Sequence, residues 1–138
     1  MNKRTEVSIE HLSDRTEITL VVDEIDNAVD AKDWERCRAY FTDEIYADFT
    51  SLAGGSPGNI PSDDLVGAWA TNLFADKLSH HMRTNHRVTI DGDKAEVFSK
   101  GYALNILHRS IPARTCGRCG ATILIPWNAR VRAGSARG

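Results

Sequence analysis

Two adjacent histidines, His80 and His81, and an acid that closes a helical pattern, Asp30 in Val29-Asp30-Ala31-Lys32-Asp33-Trp34, are the residues best suited to chemistry here. A carboxylate beside an imidazole fixes its tautomer and stabilises the imidazolium left after proton abstraction, which is the simplest route to a general base near neutral pH. Spacing alone leaves a plainer reading open for each. Asp30 flanks an apolar stripe and reads equally well as a surface acid at a helix end; a lone His at the start of a strand reads as a structural or exposed residue. His81 alternates with Arg83, Asn85 and Arg87, while His80 alternates with Met82, Thr84, His86 and Val88, so the pattern does not choose the inward face.

A second cluster, Cys116-Gly117-Arg118-Cys119, has the spacing of half a zinc site or a redox pair. No second C-x-x-C or trailing His completes a tetrahedral set, and no thioredoxin-like βαβ setting surrounds it. With Cys37 the chain holds 3 cysteines, too few and too uneven for a secreted disulfide framework. No G-x-G-x-x-G, P-loop or H-E-x-x-H pattern is present, which removes the dinucleotide, nucleoside-triphosphate and zinc-protease readings. No apolar run approaches the ~18 residues that span a bilayer, and the N-terminus leads into no signal-like segment, so a cytoplasmic protein with no membrane partner is expected.

The elements that must position these residues follow from hydrophobic period. At 138 residues, 41% hydrophobic and 26% charged, the chain suits one globular domain over 1–138. Asp14 with Glu17 resembles a capping box, and Ile18, Val21, Val22, Ile25, Ala28 and Val29 form the apolar stripe of an amphipathic helix. Its other side, with Glu17, Asp23, Glu24, Asp26 and Asn27, reads as solvated. After a break near Ala31 or Lys32, Trp34, Cys37, Tyr40 and Phe41 continue as a second short helix with Cys37 in the core. Ile45–Phe49 reads as a strand, Gly54–Gly58 as a loop, and Ser62 caps a third helix that buries Leu65, Trp69, Leu73 and Phe74. His86–Ile90 and Ala95–Leu107 flank the turn Asp91-Gly92-Asp93 as an antiparallel hairpin. Helices followed by sheet imply an α+β fold with the helices packed on one sheet face.

The run Asp30–Arg38, followed by Phe41-Thr42-Asp43, Tyr46–Phe49, His80-His81 and Val88–Ala95, resembles the SnoaL-like and scytalone dehydratase branch of the nuclear transport factor 2-like superfamily, with a recognisable core over 14–108. The resemblance implies a cystatin-like cone, with N-terminal helices against a strongly curved antiparallel sheet, enclosing a pocket for an apolar or aromatic small molecule. It implies a homodimer formed through the sheet where the C-terminal strands are intact. It also implies that Asp30 orients His81, which takes a proton from carbon in a dehydratase, isomerase or polyketide cyclase reaction needing no cofactor and no metal. Tyr46, Phe49, Trp69 and Tyr102 are the expected substrate-binding residues, each with an ordinary packing role as the alternative. The dehydratase group often has further Tyr and His donors where this chain has Val29, Phe49 and Ala103; Tyr46, Tyr102, Arg83 and Asn85 are the available polar replacements. A noncatalytic ligand-binding module, or an inactive truncated copy, carries the same likeness.

The charge distribution sets the end of the chain apart. All 19 acids lie at or before Glu96, whereas Lys100, Arg109, Arg114, Arg118, Arg130, Arg132 and Arg137 follow with no acid among them. This basic tail, 109–138, and its C-x-x-C define a third class, a nucleic-acid or zinc-binding protein, which the absence of an amphipathic period or a complete ligand set disfavours. We read the stretch instead as a shifted reading frame that disrupts the expected C-terminal strands. Joining each codon's third base to the first two of the next allows Thr115 to Ser135 to become LWEVWGNYTHTLERTGSGWK, a strand, turn and Gly-Trp strand of the kind the family has. The Trp127-Asn128 junction must give Glu, and Cys116-Gly117 and Cys119-Gly120 allow only Trp or Arg. The coding DNA is expected to carry third bases that permit this string; incompatible bases remove the frameshift.

Overall fold

The first helix begins earlier than its apolar stripe suggests. In a computed structural model, which describes residues 8–107 and 117–126, α1 spans Ile9–Ala31 and the side chain of Ser8 accepts from the His11 amide at 3.1 Å. Ser8, and not the expected Asp14, is the N-cap, because a Ser in extended conformation satisfies one of the free amides of a helical first turn. The break falls where expected. Lys32 takes a left-handed conformation, φ 59° and ψ 26°, and its amide reaches back to the carbonyls of Ala28 and Val29. That conformation costs a residue with a Cβ about 1–2 kcal/mol relative to the right-handed one.

Asp33 then caps α2 (Trp34–Arg38), accepting from the Arg36 amide at 3.1 Å. Cys37 is fully buried in the cluster formed by Ile25, Ala28, Val29, Val66 and Leu73, with Trp34, Phe41 and Trp69 at its border. Burial, aided by the charges of Asp26 and Asp33, pushes its thiol up to about 11, so the thiolate is scarce. β1 (Glu44–Ala47) pairs antiparallel with β2 (Gly58–Pro61), and a single helical turn, α3 (Thr50–Ala53), lies between them. The expected loop is thus the link of a small separate sheet.

α4 (Ser62–Asn72) starts at Ser62, but the Ser62 hydroxyl is not its cap. It is buried and donates to the Thr42 carbonyl at 2.6 Å, while the Ser62 amide donates to Asp43, tying the helix to the preceding loop. Leu65, Val66 and Leu73 are buried; Phe74, expected on that side, is exposed because the helix has ended before it.

The larger sheet has the order β3-β4-β5, with β3 (Lys77–Asp91) and β4 (Lys94–Leu107) joined through Gly92 at φ 54°. The α+β architecture expected from the sequence is the observed one. Between Thr84 and Arg87 the β3–β4 register shifts, and Asn85 sits at φ 56°. This bulge places two residues of β3 against one of β4, so the inward face of β3 is odd-numbered through Arg83 and even-numbered from His86. Val88, Ala95 and Val97 can then join Ile18 and Val22 in a second core under the first half of α1.

Beyond Leu107 one further strand lies within the described residues. β5 (Gly117–Pro126) pairs with β4 from Ala103↔Gly117 to Lys94↔Pro126. A ladder is made by main-chain groups, so a segment with Thr122-Ile123-Leu124-Ile125 can fill that place whatever its neighbours are. The remainder of the basic tail, Cys116 included, lies outside the described residues, as do all side chains of β5.

Ile18→Ala is expected to lower unfolding stability by about 3 kcal/mol, while Ile9→Ala, at an exposed position, changes it by under about 0.5 kcal/mol. Urea unfolding followed by circular dichroism checks the pair.

Candidate functional site

The seam between the second half of α1 and the first half of β3 is polar. Asp23, Asp26 and Asp30 follow one another at intervals of three and four, which brings them to one side of a helix. Ser79, His81 and Arg83 project from β3 at the period of two, toward that side. Three acid–base contacts cross the seam in order: Asp30 with His81, Asp26 with Arg83, and Asp23 with His86.

The Asp30–His81 contact is doubled. The His81 ring Nδ1 lies 2.6 Å from Asp30 Oδ1, and the His81 main-chain amide donates to Oδ2 at 2.7 Å. Burial by itself would raise the Asp30 carboxyl. Hydrogen bonds from the His81 amide and ring, and from the Ser79 hydroxyl, outweigh it and hold the group below its ordinary 3.8. An ionised carboxylate only accepts, so Nδ1 carries the proton of this contact and Nε2 is the acceptor of the neutral ring. His80 is different: its ring is 65% exposed and stands 3.9 Å from Asp30.

Next along the seam, Arg83 donates through Nε and Nη2 to both oxygens of Asp26, at 2.6 and 3.0 Å, with Nη1 3.4 Å from the Ser99 hydroxyl. Asp26, expected on the solvated face, is only 9% exposed. Its burial is tolerated because a bidentate guanidinium matches both carboxylate oxygens. Asp23 lies 3.1 Å from His86 Nε2, but no well-aligned hydrogen bond joins them; desolvation raises the Asp23 carboxyl despite the histidine. On the other side of Asp30, Lys32 donates to the Ser79 hydroxyl at 2.7 Å. Desolvation lowers the Lys32 ammonium while the charge of Asp30 opposes that shift.

Of the six site residues expected from sequence, the structure brings Asp30 and His81 into contact and leaves the other four apart from them. Tyr102 is opposite Met82 on the outer sheet face, whereas His81 is opposite Ala103 on the inner one. Adjacent strand residues point to opposite faces, so Tyr102 cannot share the side of His81. Tyr46 is 66% exposed on β1, and Phe49, just after β1, is also exposed. Trp69 packs against the helical core with Phe41, ring centroids 6.0 Å apart, so its indole serves packing. Asn85, one of the polar replacements, is spent on the bulge, and Arg83 on Asp26.

The sequence reading missed Asp26, Lys32, Ser79 and Asn105. A signal existed for the first: Asp26 and Asp30 are one helical turn apart, matching the two-residue step from His81 to Arg83. Asn105 shares the inner face, opposite Ser79, and its side-chain oxygen is buried without a hydrogen-bond partner among the described residues.

Comparison with known proteins identifies the fold. Residues 10–119 match the SnoaL-like domain, and the chain belongs to that family, within the nuclear transport factor 2-like superfamily. It is 29% identical over 93 residues to an uncharacterized protein of Mycobacterium tuberculosis; the match takes in 67% of this chain and 60% of that relative's length. Among solved structures, a protein of Kribbella flavida superposes with a TM-score of 0.67 at 26% identity, covering 81% of this chain and 76% of that one. A Catenulispora acidiphila protein solved in complex with S-DNPA gives 0.61 at 14% identity, covering 79% and 78%.

Because the folded-state Asp30 carboxyl is lowered, the stability it contributes is present above its unfolded value and is lost as pH falls through the folded value. By NMR its carboxyl carbon is expected to titrate below 3.8, and Ser79→Ala to move that midpoint upward. Asp30→Asn should flatten the loss of stability below about pH 4. A wild-type midpoint at or above 3.8 contradicts the hydrogen bonding described.

Proposed function

We propose that this SnoaL-like chain is a small-molecule enzyme of the lyase, isomerase or cyclase kind, with His81 as general base and Asp30 as its positioning residue. One observation carries the reading: Asp30 engages both the ring and the main chain of His81, so tautomer and orientation are fixed together. His81 Nε2 then accepts a proton from a carbon next to a carbonyl. The electron pair left behind either moves onto the carbonyl oxygen as an enolate or expels a leaving group from the neighbouring carbon. The imidazolium returns its proton to the departing oxygen or to another carbon, which makes the cycle complete without a metal or organic cofactor. Dehydration, isomerisation and aldol-type ring closure differ only in what the electron pair does next.

The substrate class is an apolar or aromatic small molecule. The S-DNPA complex of the Catenulispora relative supports a small-ligand site in this fold, and a Streptomyces avermitilis neighbour at 14% identity is a proposed dehydratase from the NTF2-like family. A homodimer would use the outer sheet face, where Leu78, Met82, Tyr102, Leu104 and Ile106 are exposed in facing register. No helix among the described residues is long and apolar enough to cross a membrane. The free, buried Cys37 suits the reducing cytoplasm.

A noncatalytic ligand-binding module is the second reading. Its support is the position of Tyr102 behind the sheet and the exposure of Tyr46, which leave neither of these phenols beside His81. Deuterium uptake separates the two. In a panel of enolisable ketones and β-hydroxy ketones in D2O, the wild type is expected to exchange the protons beside the carbonyl of at least one member. His81→Ala should slow that exchange by about 10²–10⁴-fold, and Asp30→Asn should slow it with little change in KM. Equal rates for wild type and His81→Ala overturn the catalytic reading.

A further inference from the structure

The inner sheet face beside His81 holds a polar group that no described residue satisfies. In register across β3 and β4 the facing pairs are Ser79↔Asn105, His81↔Ala103 and Arg83↔Gly101. Arg83 is committed to Asp26 and Ser99, His81 to Asp30. Asn105 is not: its amide oxygen is buried and has no hydrogen-bond partner among the described residues. Buried amide oxygens are nearly always paired, because leaving one unpaired forfeits its hydration with no return.

The natural partner would be Ser79, whose Cβ in a facing pair lies roughly 5 Å away. Ser79 is unavailable. Its hydroxyl accepts from Lys32 at 2.7 Å, and a lysine ammonium can only donate, so the single hydroxyl proton must be directed elsewhere. That proton does not reach Asn105, whose oxygen has no hydrogen-bond partner among the described residues. Lys32 is thus engaged with Ser79, and His81 with Asp30, rather than with Asn105. Next to Asn105 on this face β4 presents only Ala103 and Gly101, whose side chains carry no polar atom.

We propose that Asn105 is a substrate-binding residue whose amide oxygen accepts a hydrogen bond from a hydroxyl of the ligand. Asn105 and His81 are diagonal neighbours across the strand pair, with side-chain origins about 7–8 Å apart. That separation suits a small hydroxylated carbonyl compound, with its hydroxyl on Asn105 and its proton-bearing carbon at His81. The proposal rests on the reading of His81 as a base only for the second half of that placement. The discrimination comes from the first half: a buried acceptor left unpaired rejects an analogue lacking the hydroxyl far more strongly than an apolar wall rejects an extra group.

The test compares 4-hydroxyacetophenone with acetophenone as probes, using the full chain and ligand-observed NMR titration. The wild type is expected to bind the hydroxylated ketone at least about 10-fold tighter. Asn105→Leu should lose the preference while keeping or raising the melting temperature, since it removes an unpaired buried oxygen. Asn105→Asp retains an acceptor at the same place and should retain the preference. His81→Ala should keep the preference even where it abolishes deuterium exchange, so a failure of the base reading is told apart from a failure of this one. Absence of a preference in the wild type, including binding of neither ketone, overturns the proposal. So does a preference that survives Asn105→Leu, or a marked fall in melting temperature in that variant, which would mean that the amide is satisfied within the fold.

Discussion

The attachment of the last turn of α1 to the first residues of β3 through one carboxylate is the constraint on which the site depends. Asp30 accepts from the main-chain amide of His81 as well as from its ring. A ring contact alone would leave the strand free to slide or roll beneath the helix. The main-chain contact fixes where the strand begins, and the ring contact fixes which way the imidazole is turned. Because both partners are only partly buried, the desolvation they suffer is moderate, and hydrogen bonds with the amide, ring and Ser79 hydroxyl prevail over it.

The rest of the seam repeats this logic with different chemistry. Arg83 on Asp26 is a planar fork on two oxygens, so it serves as a rigid rung beside the histidine. Lys32 reaches Ser79 from a left-handed residue that ends the helix abruptly, which lets a side chain two positions after Asp30 turn back toward the same strand. The first half of α1, by contrast, rests on Val88, Ala95 and Val97. One helix therefore carries an apolar half that supplies cohesion and a polar half that supplies geometry.

Much of this was legible in the residues. The period of α1, its stop near Lys32, the short second helix with Cys37 inside, the hairpin at Asp91-Gly92-Asp93 and the α+β order all follow from hydrophobic spacing and turn chemistry, and the structure has them. What was not legible depends on contacts between segments distant in sequence. Asp26 reads as a surface acid until Arg83, 57 positions later, is known to meet it. The inward face of β3 could not be chosen from alternation because the bulge changes parity within the strand, so His81 and Val88, of opposite parity, both point inward. The family resemblance makes Tyr102 a polar replacement in the pocket; a single step of register puts it behind the sheet. Hydrophobic period starts α1 too late because Ile9 and Leu12, which follow Ser8, are exposed and belong to no buried stripe.

The bulge at Asn85 has a consequence for how such a chain tolerates change. It acts as a phase shifter that decouples the two halves of one continuous strand: residues before it can be exchanged to alter chemistry while those after it keep an oily register under the helix. Absorbing the extra residue into strict alternation with no change of length would turn Val88 and Ile90 outward, giving a sticky stripe and an opened core in one event. Point substitutions along β3 are thus local in effect, whereas regularising the strand at constant length is felt by the entire domain.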